Sequence, residues 1–202
     1  MEFIIFQIII LLFSVVIHEV SHGFIAEKLG DPTARQLGRL TLNPLKHLDP
    51  FGSVILPLLL ALLPTGIVFG WAKPVPYNPL NLKNPDRDGA IIAAAGPTSN
   101  IGIAVVFAII FRIVHAFGGQ GTELLLALLS YVILINILLA IFNLVPIPPL
   151  DGSKVLFAFL SVRAARTRAF LEQYGFLVLV AFIFFGFQFI IPIIYWIYNI
   201  LI

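Results

Sequence analysis

Apolar residues in this chain come in long runs rather than in alternation with polar ones. Four runs, at about 3–26, 90–114, 124–145 and 175–202, are long enough to cross a bilayer as helices. A fifth, 52–70, is also apolar but carries Pro57 and then Pro64-Thr65-Gly66, a break near its far end. This run is predicted to dip into the membrane and return as a re-entrant hairpin. Residues 71–79, Trp-Ala-Lys-Pro-Val-Pro-Tyr-Asn-Pro, alternate proline with other residues and read as a short extended edge segment at the membrane surface. Residues 161–173, with Arg163, Arg166 and Arg168, read as a surface helix. The expected fold is an all-α polytopic membrane protein with four transmembrane helices.

Charge supports the hairpin. If 52–70 returns to its own side, Lys28, Arg35, Arg39, Lys46, Lys73, Lys83, Arg87, Lys154, Arg163, Arg166 and Arg168 share one compartment. Arg112 is then left at the opposite face. Such a bias marks the basic side as cytoplasmic and places both termini outside. Trp71 and Tyr77 suit one interface, and Tyr195, Trp196 and Tyr198 suit the other.

Composition narrows the class further. Hydrophobic residues make up 60% of the chain and charged residues 11%, which excludes an ordinary soluble domain. The net charge of +2 is small and its basic residues are spread through loops, so nucleic acid is not an expected partner. There is no cysteine, so a transition metal must be held by His, Asp or Glu. Residues 1–202 are expected to form a single membrane-embedded domain, with the first helix retained as the insertion signal.

Against that apolar background, His18-Glu19-Val20-Ser21-His22 stands out, because ionisable groups inside a bilayer are costly and mark functional sites. On a helix His18 and His22 fall ~40° apart and one turn apart, so both rings can reach one metal ion. Glu19 lies near enough to act as a base without ligating. Catalytic zinc usually takes a third protein ligand. Asp151, in Asn143-Leu144-Val145-Pro146-Ile147-Pro148-Pro149-Leu150-Asp151-Gly152, is the better candidate, since prolines unwind that segment beside an apolar helix. Asp49, in His47-Leu48-Asp49-Pro50, is the competitor, and His47 is a further candidate ligand from a loop. His115 falls at the outer face, and Asn100, with Gly96 and Pro97, is expected to pack helices or satisfy a kinked backbone.

The His18 to His22 and Asn143 to Gly152 stretches, with Ala95-Gly96-Pro97-Thr98-Ser99-Asn100 between them, resemble the site-2 protease family of intramembrane zinc metalloproteases. The family pattern is a membrane His-Glu-x-x-His followed by Asn-x-x-Pro-x-Pro-x-x-Asp-Gly. The resemblance implies that His18, His22 and Asp151 ligate one Zn2+, that Glu19 is the catalytic acid/base, and that Asn143 helps hold the substrate backbone. It implies cleavage of peptide bonds within or next to transmembrane segments, with a transmembrane protein or peptide as substrate and the lipid bilayer as surroundings. The implied location is the plasma membrane of a prokaryote, with the site toward the cytoplasm. This chain shows neither the PDZ nor the CBS domain of other members and carries the extra 52–70 segment. The competing class is a membrane transporter or channel with a buried metal or proton site. Edge pairing of substrate along 71–79 is a further expectation.

Overall fold

In a computed structural model, residues 2–55, 58, 59, 62, 72–160 and 164–202 are described. The apolar runs fold as helices: α1 (Glu2–Lys28), the short α2 (Thr33–Gln36), α3 (Pro85–Phe117), α4 (Glu123–Asn143), α5 (Asp151–Phe159), α6 (Ala165–Ala181) and α7 (Phe187–Leu201). A π-helical turn, Phe182–Gly186, joins α6 to α7, so Ala165–Leu201 is one span of 37 residues. Among the described residues, four helices are long and apolar enough to cross a membrane, and none forms a strand. Their outward side chains are apolar, with Ile8 60% and Phe189 71% exposed, as lipid-facing positions require.

Side-chain contacts give the directions of the spans. His18 meets Asn100 and His22 meets Ile92, so α1 and α3 are antiparallel. Phe3 packs on Tyr131 and Ser14 bonds Asn136, so α1 and α4 run the same way. Arg112 of α3 donates to the carbonyls of Ile200 and Leu201, both at 2.8 Å, so α3 and α7 end at one face. Arg112 thus satisfies carbonyls that the last helical turn leaves unpaired. The described basic residues expected together lie in loops or helix ends at the opposite face, where Arg168 reaches Asp86 at 3.3 Å. Ala104, Ala108, Ile133, Ile137, Ile190 and Ile194 form the core between α3, α4 and α7.

One expectation changes. The arginine-rich stretch 161–173 is not a separate surface helix. From Ala165 onward its residues are the first turns of the last span, because no proline or glycine interrupts the chain before Gly175. At ~1.5 Å per residue that span is about 55 Å long, well beyond the ~30 Å hydrocarbon layer, so the arginine turns project past it. Among the described residues, none forms a strand beside residues 72–78. Their polar groups are used within the protein: Lys73 N–H donates to His47 O at 2.8 Å, and Arg39 donates to Lys73 O at 2.8 Å and Pro74 O at 3.3 Å. The hairpin expected at 52–70 lies mostly outside the described residues, as do Trp71 and Arg163; Pro50–Ile55 forms a π-helical turn.

Candidate metal centre

α1 carries the first two side chains of the site. His18 and His22 are one turn apart, 5% and 8% exposed, with ring centroids 4.7 Å apart and planes at 86°. The third arrives from the loop after α4. Leu144–Leu150 turns back on itself, with Leu150 N–H donating to Ile147 O at 2.9 Å, and this places Asp151 at the start of α5. Gly152 is needed there, since a Cβ would collide with the Leu144 carbonyl oxygen. Asp151 Oδ2 then lies 3.1 Å from His18 Nε2 and 3.2 Å from His22 Nε2.

α3 supplies the partners of the two rings. His22 Nδ1 contacts Ile92 O at 2.7 Å, and a carbonyl only accepts, so that nitrogen carries a proton and Nε2 is the one turned toward Asp151. His18 Nδ1 contacts Asn100 Oδ1 at 2.6 Å. The Nε2 atoms and a carboxylate oxygen therefore converge on one point, with each Nδ1 held elsewhere. Two imidazole nitrogens and one carboxylate are a donor set that suits a catalytic transition metal with an open position. The ligand atoms of His18, Glu19 and His22 also lie within 4.8 Å of one another.

Glu19 is held from a different direction. Its Oε2 accepts from Val75 N–H at 2.8 Å, so segment 72–78 runs directly over the carboxylate. A cavity of about 140 Å³ is lined by His18, Glu19, His22, Asp151, Asn143 and Lys154, among others. That is room enough for water beside these side chains. A second cavity of about 500 Å³ shares His18, Glu19 and Asn143 with it and is walled by Val15, Leu139, Phe142, Phe176 and Leu179.

The expected residues thus separate. His18, Glu19, His22, Asp151 and Asn143 line one cavity. Asp49 does not line it: its Oδ1 accepts from Gly52 N–H at 2.6 Å and closes a local turn. His47 is buried rather than on a surface loop, but its Nε2 bonds Thr41 O at 2.9 Å and it lines neither cavity. His115 is exposed and stacks on Phe111. Asn100 does more than pack helices, since it touches a candidate ligand. Lys154, 5.3 Å over the Tyr77 ring, was not singled out by its sequence context. Neither were Ser14 and Asn136, although polar side chains inside apolar runs are themselves a signal.

A bundle of membrane-spanning helices enclosing a His, His, Asp and Glu cluster defines a membrane metallohydrolase. Comparison with known proteins agrees. Residues 112–186 match the model of peptidase family M50. The chain is 40% identical over 182 residues to YwhC of Bacillus subtilis, covering 86% of this chain and 77% of that protein. It is 32% identical over 170 residues to Rip2 of Mycolicibacterium smegmatis, covering 84% of this chain and 62% of that protein. Over 72 residues it is 42% identical to MJ0611 of Methanocaldococcus jannaschii, covering 36% of this chain and 35% of that protein. All three bear zinc-metalloprotease names. No solved structure matches. The chain belongs to peptidase family M50, the site-2 proteases, and is an integral, multi-pass membrane metalloprotease.

Proposed function

We propose that residues 1–202 act as one membrane-embedded zinc endopeptidase domain that hydrolyses peptide bonds within or next to transmembrane segments of membrane proteins. The observation that carries this reading is the approach of Asp151 Oδ2 to both histidine Nε2 atoms, at 3.1 and 3.2 Å, with Glu19 beside them. His18, His22 and Asp151 would hold the zinc. A zinc ion there supplies Lewis acidity toward the scissile carbonyl and the attacking water.

The remaining chemistry belongs to the chain. Glu19 takes the proton from the attacking water and delivers it to the leaving amine. The Val75 N–H fixes Glu19 Oε2 and leaves Oε1 for that exchange. Asn143 Nδ2 is committed to Leu139 O at 2.9 Å, so its Oδ1 is the group left to accept from a substrate backbone N–H. The apolar cavity beside the site suits a hydrophobic stretch of substrate. His18 lies ten residues before the basic end of α1, about 15 Å along the axis, which keeps a short water route to that side. The positive-inside bias makes that side the cytoplasm of a prokaryotic cell and suits regulated intramembrane proteolysis.

The test compares membrane fragments from cells carrying wild type and Glu19→Gln. Transmembrane fragments present with wild type and absent with Glu19→Gln are expected. Identical fragment sets would remove the protease reading and favour transport through the same cavity.

A further inference from the structure

Beneath the candidate metal centre lies a polar chain that the proteolytic reaction does not use. Ser14, Asn100 and Asn136 are 4%, 0% and 0% exposed, and each sits in the middle of a different span. Asn136 Nδ2 donates to Val132 O at 2.9 Å and to Ser14 Oγ at 3.0 Å. Asn136 Oδ1 accepts from Asn100 Nδ2 at 2.9 Å, and that nitrogen also donates to Ser14 O at 3.3 Å. Asn100 Oδ1 in turn meets His18 Nδ1 at 2.6 Å.

The direction of this chain is forced. Val132 O and Ser14 O are main-chain carbonyls, which accept and cannot donate. Turning the Asn136 amide over would set its oxygen against Val132 O. Turning the Asn100 amide over would set its oxygen against both Ser14 O and Asn136 Oδ1. At positions this buried each reversed contact would set two acceptors face to face, at about 1–3 kcal/mol apiece. A single orientation therefore satisfies every member. That orientation ends in an oxygen at His18 Nδ1, so Nδ1 must carry a proton, and Nε2, which faces Asp151 Oδ2 at 3.1 Å, is the nitrogen left to ligate a metal.

We infer that Ser14, Asn100 and Asn136 form a directional hydrogen-bond relay, anchored on two main-chain carbonyls, that fixes His18 in the tautomer able to ligate a metal. Asn136 and Ser14 are positioning residues that act through Asn100. The inference rests on the reading of His18 as a ligand. It also explains why three polar side chains are kept inside the bundle, where each unpaired one would be costly. His22 needs no such relay, because Ile92 O addresses its ring directly at 2.7 Å.

The test uses the full chain in detergent, labelled with ¹⁵N-histidine and stripped of metal. Pyrrole-type and pyridine-type nitrogens resolve in such spectra. Wild type is expected to show a protonated, pyrrole-type Nδ1 on both His18 and His22. In Asn136→Leu, His18 is expected to become a mixture of tautomers while His22 stays unchanged, serving as an internal control. Zinc affinity, read by chelator competition, is expected to fall about 10-fold or more in Asn136→Leu and less in Ser14→Ala. A purely structural role for Asn136 would lower the melting point without altering the His18 tautomer or the affinity of the folded fraction. That result, or a His18 Nδ1 without a proton in wild type, overturns the relay. The wild-type spectrum decides even where Asn136→Leu does not fold. Failure of wild type to bind zinc is a separate outcome and overturns the metal-site reading beneath it.

Discussion

Gly96 carries no chemistry, yet it shapes the site. A Cβ built on it would lie 2.5 Å from His18 Nε2 and 2.6 Å from a His22 ring carbon. Gly96→Ala is therefore expected to push both rings off their positions and weaken zinc binding at least about 10-fold, while circular dichroism keeps its helical signal. That His18 and His22 share one face was legible from spacing, and the proline-rich setting of Asp151 hinted that it would approach them. Gly96 and the Ser14, Asn100 and Asn136 relay were not, because their partners stand far away in sequence and only packing of three spans joins them. Away from the membrane, Asp31 shows the same economy of polar groups. It is fully buried, and burial alone would raise its pKa. Hydrogen bonds from Thr33, Asn81 and the Asn78 amide outweigh that effect and hold it below the ordinary carboxylate value. A lowered folded pKa gives stability that is present above the unfolded value of about 3.9 and is lost as pH falls through the folded one. Asp31→Asn is expected to remove that acid-side slope and to cost about 1–3 kcal/mol near neutral pH, measured by melting across pH.

How elements meet explains where sequence reading of the chain stopped short. The last span was expected to begin at 175 because apolar character begins there, but a helix starts where its backbone permits, at Ala165. Gly175 matters for a different reason. A Cβ on it would sit 2.6 Å from Pro148 Cβ and 2.8 Å from Pro148 O, so it lets α6 close on the loop that aims Asp151. Gly175→Ala is expected to destabilise the fold by about 1–3 kcal/mol and to weaken metal binding. Gly102→Ala, with nothing within 4 Å of the added carbon, should leave melting and metal binding nearly unchanged. Segment 72–78 illustrates the opposite limit. Its prolines announced a short extended edge segment at the membrane surface, but nothing in them showed that the Val75 amide would hold Glu19. Val75→Pro deletes that donor and is expected to slow cleavage of a transmembrane peptide while zinc content stays at wild-type level.

The molecule as a whole is a membrane bundle whose described basic residues, Arg112 apart, gather at the end that holds the site. That architecture was legible from run lengths and charge, since bilayer thickness and the positive-inside bias act directly on sequence. The natural absence of cysteine makes the topology easy to check. Gly119→Cys is expected to label from outside intact cells and Lys83→Cys only after permeabilisation. Metal content and peptide cleavage, measured on the same purified protein for wild type, Glu19→Gln and Asp151→Ala, bear on everything else. Wild type should hold one zinc and cut a transmembrane peptide, Glu19→Gln should hold one zinc and cut nothing, and Asp151→Ala should lose both. Full cleavage by Glu19→Gln, or undiminished zinc in Asp151→Ala, would contradict the account.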